Sequence, residues 1–194
     1  MPEETAETKK TRIYIILGVI AAITTILILM LVISMTSGKT LTCTETNDGL
    51  YLFADEDGND VTFDSKITYT INFNNKDDIT SAKIEKTYSS ENSKAVENLS
   101  NLSKFTSENQ YVENFKNETK GNDVNIKYSI KSEAFKLSME EFYNSGVSDH
   151  LGLYGYYDTD DEFETEFRYE KLSDYLTYKN LKAEYESSSN ITCR

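Results

Sequence analysis

The segment Ile67-Thr68-Tyr69-Thr70-Ile71-Asn72-Phe73 alternates apolar and polar residues along its whole length. Alternation with a period of two is typical of a β-strand that has one buried face and one solvated face. The next five residues, Asn74-Asn75-Lys76-Asp77-Asp78, are of types that favour turns. The segment 79–88 then places Ala82, Ile84 and Tyr88 in phase with one another. We therefore predict a β-hairpin formed by 67–73 and 79–88.

Strand and helix signals continue on both sides of this hairpin. Further strands are predicted at Leu41–Thr46, Leu50–Phe53, Val61–Phe63, Tyr111–Phe115 and Val124–Ile130. Between the last two strands and the hairpin, apolar residues recur at helical spacing, which predicts a helix capped by Ser90 and running to about Glu108. The apolar side of this helix would consist of Ala95, Val96, Leu99, Leu102 and Phe105.

Two more helices are predicted in the second half of the chain. Ser138 followed by Glu141 forms the capping-box pattern at the start of a helix that would stop at Gly146. The last helix is predicted from Ser173 to about Ser187, with an inner face made of Tyr175, Leu176, Lys179, Leu181, Lys182 and Tyr185. Strands and helices in this order indicate an α+β domain over residues 41–194, with a mainly antiparallel sheet packed with two to three helices.

The region before this domain contains a long apolar segment, Ile13–Met35, which has no charged residue. As a helix it would be roughly 35 Å long, enough to cross the hydrocarbon core of a bilayer. Basic residues precede it at Lys9, Lys10 and Arg12, and such residues favour the cytoplasmic side. We predict a cytoplasmic tail (1–12), a transmembrane helix (13–35), a linker (36–40) and an extracytoplasmic domain.

A cleaved signal peptide is the alternative interpretation of the apolar segment. Such a signal has a shorter apolar core, which is followed by a site with small residues at two positions. Ser34-Met35-Thr36 matches that site poorly, and the apolar segment is longer than such a core. These features favour an uncleaved, single-pass anchor in the cell membrane.

The two cysteines, Cys43 and Cys193, lie near the two ends of the predicted domain. An even number of cysteines outside the cytoplasm favours a disulfide, because no cytosolic reductant acts there. Two unrelated free thiols are the alternative. We predict a Cys43–Cys193 bridge that closes nearly the whole domain.

The charge of the chain limits its partners. The chain has 33 acidic and 20 basic residues, and charges before residue 38 cancel, so residues 38–194 carry the whole net charge of −13. Such a surface repels phosphate backbones, which argues against a nucleic-acid partner. Apart from the membrane at 13–35, we expect a protein, peptide or glycan partner at the cell surface, while the oligomeric state is not predicted.

Two acidic segments are weak candidates for a metal site. Asp55, Asp57 and Asp60 alternate around a glycine, but the segment lacks the order of an EF-hand loop and its bidentate Glu. A second acidic segment, Asp158–Glu166, is typical of a solvated surface. An acidic turn is therefore favoured at 55–60, and neither a metal nor a cofactor is predicted.

The chain has a single histidine, His150. No Gly-x-Ser-x-Gly elbow accompanies it, so no catalytic residue is predicted. The surrounding loop, Gly146–Tyr157, is rich in Gly and Tyr, and Tyr suits recognition because it offers a large contact area at low entropic cost. Tyr154, Tyr156 and Tyr157 are the candidate recognition residues; the alternative is that they pack in the core.

The sequences around the cysteines, Leu41-Thr42-Cys43-Thr44 and Ile191-Thr192-Cys193-Arg194, resemble small envelope proteins of Gram-positive bacteria, similar to the YehR-like lipoproteins. The resemblance implies an antiparallel sheet packed on helices and no assigned activity. The chain departs from that group by lacking a lipobox and by its segment 146–168. We expect a membrane-anchored envelope protein that is a non-catalytic binding module; the alternative is a carboxylate-dependent cell-wall hydrolase.

Overall fold

The computed structural model describes residues 23–26, 38–54, 60–153, 169 and 171–194. The chain divides into two compact units, Met1–Ser37 and Gly38–Arg194. In the first unit the four described residues are helical. Within the described ranges no helix has both the length and the apolar character needed to cross a membrane. The rest of the predicted 13–35 span lies outside the described residues.

The second unit is an α+β domain built on a six-stranded antiparallel sheet, as predicted for its fold class. The strands are β1 (Thr40–Ala54), β2 (Asp60–Phe73), β3 (Ile79–Ser89), β4 (Val112–Lys120), β5 (Asp123–Ile130) and β6 (Ile191–Cys193). Their order in the sheet is β4-β5-β3-β2-β1-β6, and every neighbouring pair is antiparallel. The predicted hairpin is confirmed as the β2–β3 pair.

The described helices of the second unit are all short. They are α1 (Ser93–Leu102), α2 (Met139–Asn144), α3 (Val147–His150), α4 (Leu172–Tyr175) and α5 (Tyr178–Glu186), with 3-10 helices at Ser103–Glu108 and Ser132–Lys136. The capping box of Ser138 and Glu141 is confirmed at the start of α2. Gly146 follows this helix with a φ of 72°, a left-handed conformation that suits glycine at a helix end.

One face of the sheet, here called the inner face, carries the core. Every second residue of β2 from Val61 to Phe73 is buried, including Ser65. The ring of Tyr185 in α5 stacks on Tyr69 of β2, and His150 in α3 packs edge-on against Tyr128 of β5. The inner face is therefore covered by helices from the second half of the chain.

The strands are longer than predicted. The segments 41–46 and 50–53 are parts of one strand, β1, because two bulges, at Asn47/Leu50 and Tyr51/Phe53, absorb the break in the apolar alternation. The segments 61–63 and 67–73 likewise form one strand, because Ser65 faces the core between them. The segment between the predicted strands 111–115 and 124–130 is also mostly strand, and the chain reverses at Gly121 and Asn122.

The first helix differs from its prediction at both ends. Asn92, not Ser90, is the cap, and its side chain accepts a hydrogen bond from the Ala95 N–H. The predicted inner residues Leu102 and Phe105 are exposed by 51% and 63%. The α-helix ends at Leu102, and the tighter 3-10 turn that follows rotates later side chains off the apolar face.

The last predicted helix is two helices, α4 and α5. Thr177 begins the second one by accepting a hydrogen bond from the Asn180 N–H. Most of the predicted inner face is buried, but Lys179 is exposed, and Lys182 is half-buried and pairs with Glu186 at 3.6 Å. The interruption at Leu176 and Thr177 changes which side of the chain meets the sheet.

Candidate functional site

The disulfide between Cys43 and Cys193 is present, as predicted. The two residues are direct partners in the β1–β6 pair, with their Cα atoms 4.1 Å apart. Thr42 and Arg194 beside them exchange backbone hydrogen bonds of 3.1 and 2.9 Å, so the cysteines occupy the closer, non-hydrogen-bonded kind of pair. A short strand that the sequence did not predict, β6, brings Cys193 to β1.

Most of the other predicted site residues lie outside the described residues. These are the recognition candidates Tyr154, Tyr156 and Tyr157, the weak metal candidates Asp55 and Asp57, and the acidic segment Asp158–Glu166. Asp60 is described and lies exposed at the start of β2. The part of the chain that the structure describes contains no group of three side chains able to hold a metal ion. Leu151 and Leu153, neighbours of the predicted recognition loop, are fully buried.

The sheet brings together a set of polar side chains that the sequence analysis missed. We call Glu45, Tyr69, Lys86, Tyr128 and His150 the inner polar cluster. Strand register explains the first four, because Glu45, Ile67, Lys86 and Ile126 form one cross-strand row, and Cys43, Tyr69, Ile84 and Tyr128 form the next. His150 joins them from α3, so the cluster lies between the sheet and the helices.

One half of the cluster is organised around Glu45. Its carboxylate accepts hydrogen bonds from the Tyr69 hydroxyl at 3.0 Å and from the Asn47 amide at 2.8 Å. The Tyr185 ring stacks on Tyr69 with centroids 5.1 Å apart, and its hydroxyl donates to the Leu151 carbonyl at 2.6 Å. These contacts hold the carboxylate in one place and tie it to the chain beyond α3.

The other half contains Lys86, Tyr128 and His150. The Lys86 Nζ lies 5.8 Å from the centre of the Tyr128 ring, which is close enough for a cation–π contact. The Tyr128 hydroxyl and His150 Nδ1 are 3.3 Å apart. No ion pair joins Lys86 to a described carboxylate, whereas Lys83 and Lys127, on the opposite face of the sheet, both pair with Glu85.

Burial sets the electrostatics of this half. It lowers the pKa of His150 from 6.5 to about 4, an effect that the charge of Lys86 increases and that of Asp149 opposes. Burial also lowers the pKa of Lys86, against the opposing effect of Glu45 and Asp149. His150 is therefore uncharged near neutral pH, and the amine of Lys86 loses its proton more easily than an exposed lysine.

The pKa of His150 predicts a pH-dependent stability. The unfolded chain binds a proton at His150 below about pH 6.5, whereas the folded chain does so only near pH 4. The stability associated with this group is thus complete above pH 6.5 and lost as the pH falls toward 4. We expect that loss to amount to about 1–2 kcal/mol, less than the full shift implies because His150 is partly exposed.

Urea unfolding of the wild type and of His150→Gln, at pH 7 and at pH 4, measures this effect. The wild type should lose more stability than the variant between pH 7 and pH 4, because only the wild type has His150. Both proteins have the same carboxyl groups, so the contribution of these groups cancels in the comparison. Equal losses in the two proteins would show that His150 is not held uncharged.

A second feature is a groove beside α4, here called the α4 groove. It consists of two adjoining cavities of about 530 and 360 Å³, which share the lining residues Phe135, Lys136 and Ser173. The larger cavity has apolar walls from Ile79 and Leu176 and polar groups at its rim. The smaller cavity is flanked by two amines, Lys136 and Lys171. No local sequence pattern indicates this groove, because its walls come from three separate segments, 74–80, 132–139 and 171–176.

Signals for the inner polar cluster were present in the sequence. Lys86 lies in the predicted strand 79–88 at the same two-residue phase as Ile84 and Tyr88, which marks it as inward-facing. Glu45 has the same phase relation to Leu41 and Cys43. A charged residue at a strand position that the alternation predicts to be buried therefore indicated an unusual site.

Comparisons with protein-family models, with curated proteins and with solved structures found no match to this chain. The class of protein therefore follows from the domain alone: a disulfide-closed α+β domain with a polar cluster under its helices and a groove beside α4.

Proposed function

We propose that this chain is a membrane-anchored envelope protein whose extracytoplasmic domain, residues 38–194, binds a peptide segment of a partner without catalysing a reaction. The α4 groove is the binding surface in this proposal. The observation that carries it is the pair of adjoining cavities that share Phe135, Lys136 and Ser173, since ligand-binding sites are concave, largely apolar and edged by a few polar groups.

The location is supported by the disulfide and by the sequence before the domain. Disulfides persist in oxidising compartments and are rare in the cytosol, so the Cys43–Cys193 bridge favours the outside of the cell. The apolar segment 13–35 and the basic residues before it suit an uncleaved anchor with a cytoplasmic N-terminus. The resemblance of the cysteine contexts to YehR-like envelope proteins agrees with this location and is part of the proposal.

The lining of the groove favours a peptide over a glycan or a nucleic acid. Ile79, Phe135 and Leu176 offer apolar walls to a side chain, and Phe135 is half-buried, not presented as an exposed ring for a sugar. Lys136 and Lys171 offer amines for a carboxylate or for backbone carbonyls. The net charge of −13 disfavours a nucleic acid.

A carboxylate-dependent hydrolase is the alternative to the binding module. A carboxylate-dependent glycosidase needs one carboxyl group with a raised pKa to act as the acid. Glu85 and Glu141 do not meet this requirement, because a hydrogen bond from Lys127 lowers the pKa of Glu85 and a hydrogen bond from the Ser138 backbone lowers that of Glu141. We therefore retain the binding module.

Crosslinking on intact cells tests the location and the groove together. The full chain, tagged at its C-terminus, is treated with an amine-reactive crosslinker that does not cross membranes, and crosslinked partners are identified after solubilisation. We expect lysines of residues 38–194 to react in intact cells. We also expect Lys136→Glu to reduce the recovery of the specific partner about tenfold, and further than Lys136→Gln, which removes the same crosslinkable amine without reversing the charge that both cavities share.

Lys94→Glu is the matched control, since Lys94 is also exposed but lies on α1, away from the groove. It should leave the recovery unchanged. Protection of the domain's lysines in intact cells would overturn the location, and equal recovery by Lys136→Glu and the wild type would overturn the groove.

A further inference from the structure

We propose that Lys86 is a reactive amine that binds a small uncharged carbonyl compound as a Schiff base on the inner face of the sheet. The proposal concerns the inner polar cluster and does not depend on the α4 groove. The capture is stoichiometric, one ligand per lysine, so it is compatible with a domain that has no turnover.

The first argument is the position of Lys86. Its neighbours along β3 on the same face, Ile84 and Tyr88, are buried, and so are its cross-strand partners, Ile67 and Ile126. A lysine in such surroundings is normally neutralised by an ion pair. Within the described chain Lys86 has none, and its charge is compensated only by the Tyr128 ring at 5.8 Å and by carboxylates at longer range.

The second argument is that these surroundings favour the uncharged, nucleophilic amine. Burial disfavours the ammonium form and lowers the pKa of Lys86. This is the means by which proteins prepare lysines for reaction with carbonyl groups. Lys86 is half-buried, not fully enclosed, so solvent molecules and small ligands have access to its side chain.

The third argument is the hydrogen-bonded pair beside the amine, Tyr128 and His150. The uncharged Nζ attacks the carbonyl carbon; the new C–N bond forms as the electron pair of the C=O double bond moves to oxygen. A proton passes from nitrogen to that oxygen, which gives a carbinolamine. Loss of water then forms the C=N bond. The Tyr128 hydroxyl and the uncharged His150 ring, 3.3 Å apart, can accept and return the proton.

The surroundings also define the ligand. Glu45 and Asp149 are the carboxylates that act on Lys86, so an anionic ligand would be repelled. The residues beside Lys86 on this face of the sheet are apolar, Ile84 along β3 and Ile67 and Ile126 across it, so they favour an apolar substituent on the ligand. An uncharged aldehyde or ketone with an apolar or aromatic substituent fits both conditions.

Competitive labelling tests the proposal on the full wild-type chain in detergent. The protein is treated at pH 6.5 with a limiting amount of benzaldehyde and with sodium cyanoborohydride, which reduces any Schiff base to a stable amine, and modified lysines are mapped by mass spectrometry. Lys83 and Lys127 are internal controls, since both are more than half exposed and pair with Glu85. We expect Lys86 to be labelled about tenfold faster than either, because burial lowers its pKa and so leaves more of its amine uncharged and nucleophilic.

If Lys86 is labelled no faster than Lys83 and Lys127, the proposal is overturned. This comparison uses the wild type alone and needs no variant. 4-Carboxybenzaldehyde is the matched anionic probe, and labelling of Lys86 as fast as by benzaldehyde would overturn the assignment of an uncharged ligand. In the His150→Phe variant, Lys86 should be labelled several-fold more slowly while Lys83 keeps its rate; an unchanged ratio would remove His150 from the proton transfer.

Discussion

Replacing both cysteines, as Cys43→Ala with Cys193→Ala, should lower the free energy of unfolding by about 3–5 kcal/mol. The bridge joins residues 150 positions apart and so restricts nearly the whole unfolded domain. Without it the unfolded chain gains entropy that the folded chain does not. The melting temperature should fall by roughly 10 °C for a domain of this size. Because the chain has no Trp, unfolding is best followed by circular dichroism in urea.

Reduction provides the matched control for this prediction. Dithiothreitol should destabilise the wild type to the level of the double variant and leave the double variant unchanged. Wild type and variant within about 1 kcal/mol of each other would contradict the chain-entropy argument. Trapping of thiols in cells adds a test of location, since Cys43 and Cys193 should both be unreactive before reduction if the domain folds outside the cytoplasm.

Gly152→Ala should lower the free energy of unfolding by about 2–4 kcal/mol, because two costs add. Gly152 has a φ of 67°, a conformation that is unfavourable for alanine. A Cβ atom there would also lie 2.6 Å from the Tyr69 hydroxyl oxygen. Tyr69 cannot move aside easily, since it is only 2% exposed, stacks on Tyr185 and holds Glu45 by a hydrogen bond.

Gly121→Ala separates the two costs. Gly121 has nearly the same φ, 63°, but nothing lies within 4 Å of the position its Cβ would take. This variant should lose only the conformational part, about 1 kcal/mol. Adding Tyr69→Phe to Gly152→Ala removes the closest contact and should restore part of the stability relative to Tyr69→Phe alone. If Gly152→Ala and Gly121→Ala lower the free energy of unfolding equally, residue 152 does not lie in close contact with Tyr69.

Local patterns were sufficient for several elements. The alternation at 67–73 predicted the β2–β3 hairpin, because the apolar residues at every second position indicate which face of the strand is buried. The pair Ser138 and Glu141 predicted the start of α2, since a capping box involves only residues three apart. The Cys43–Cys193 bridge was predicted because the chain has only two cysteines, which allow one pairing, and because the domain was expected to lie outside the cytoplasm.

Other elements depended on contacts that no local pattern contains. β6 has three residues and exists because β1 offers it partners at Cys43, Thr44 and Glu45. β1 stays one strand through its bulges because β2 pairs along its whole length. The end of α1 and the division between α4 and α5 also follow packing on the sheet and not the apolar spacing of the chain.

The sequence by itself determined the α+β class, the central hairpin, the acidic surface and the two residues able to form a bridge. These are properties of composition and short-range order, which a chain carries whether or not it is folded. The tertiary structure alone decided that Glu45, Lys86 and His150 share one face of the sheet and that the α4 groove forms. Both sites join residues far apart in the chain, and strand register and helix packing, which exist only after folding, set the distances between them.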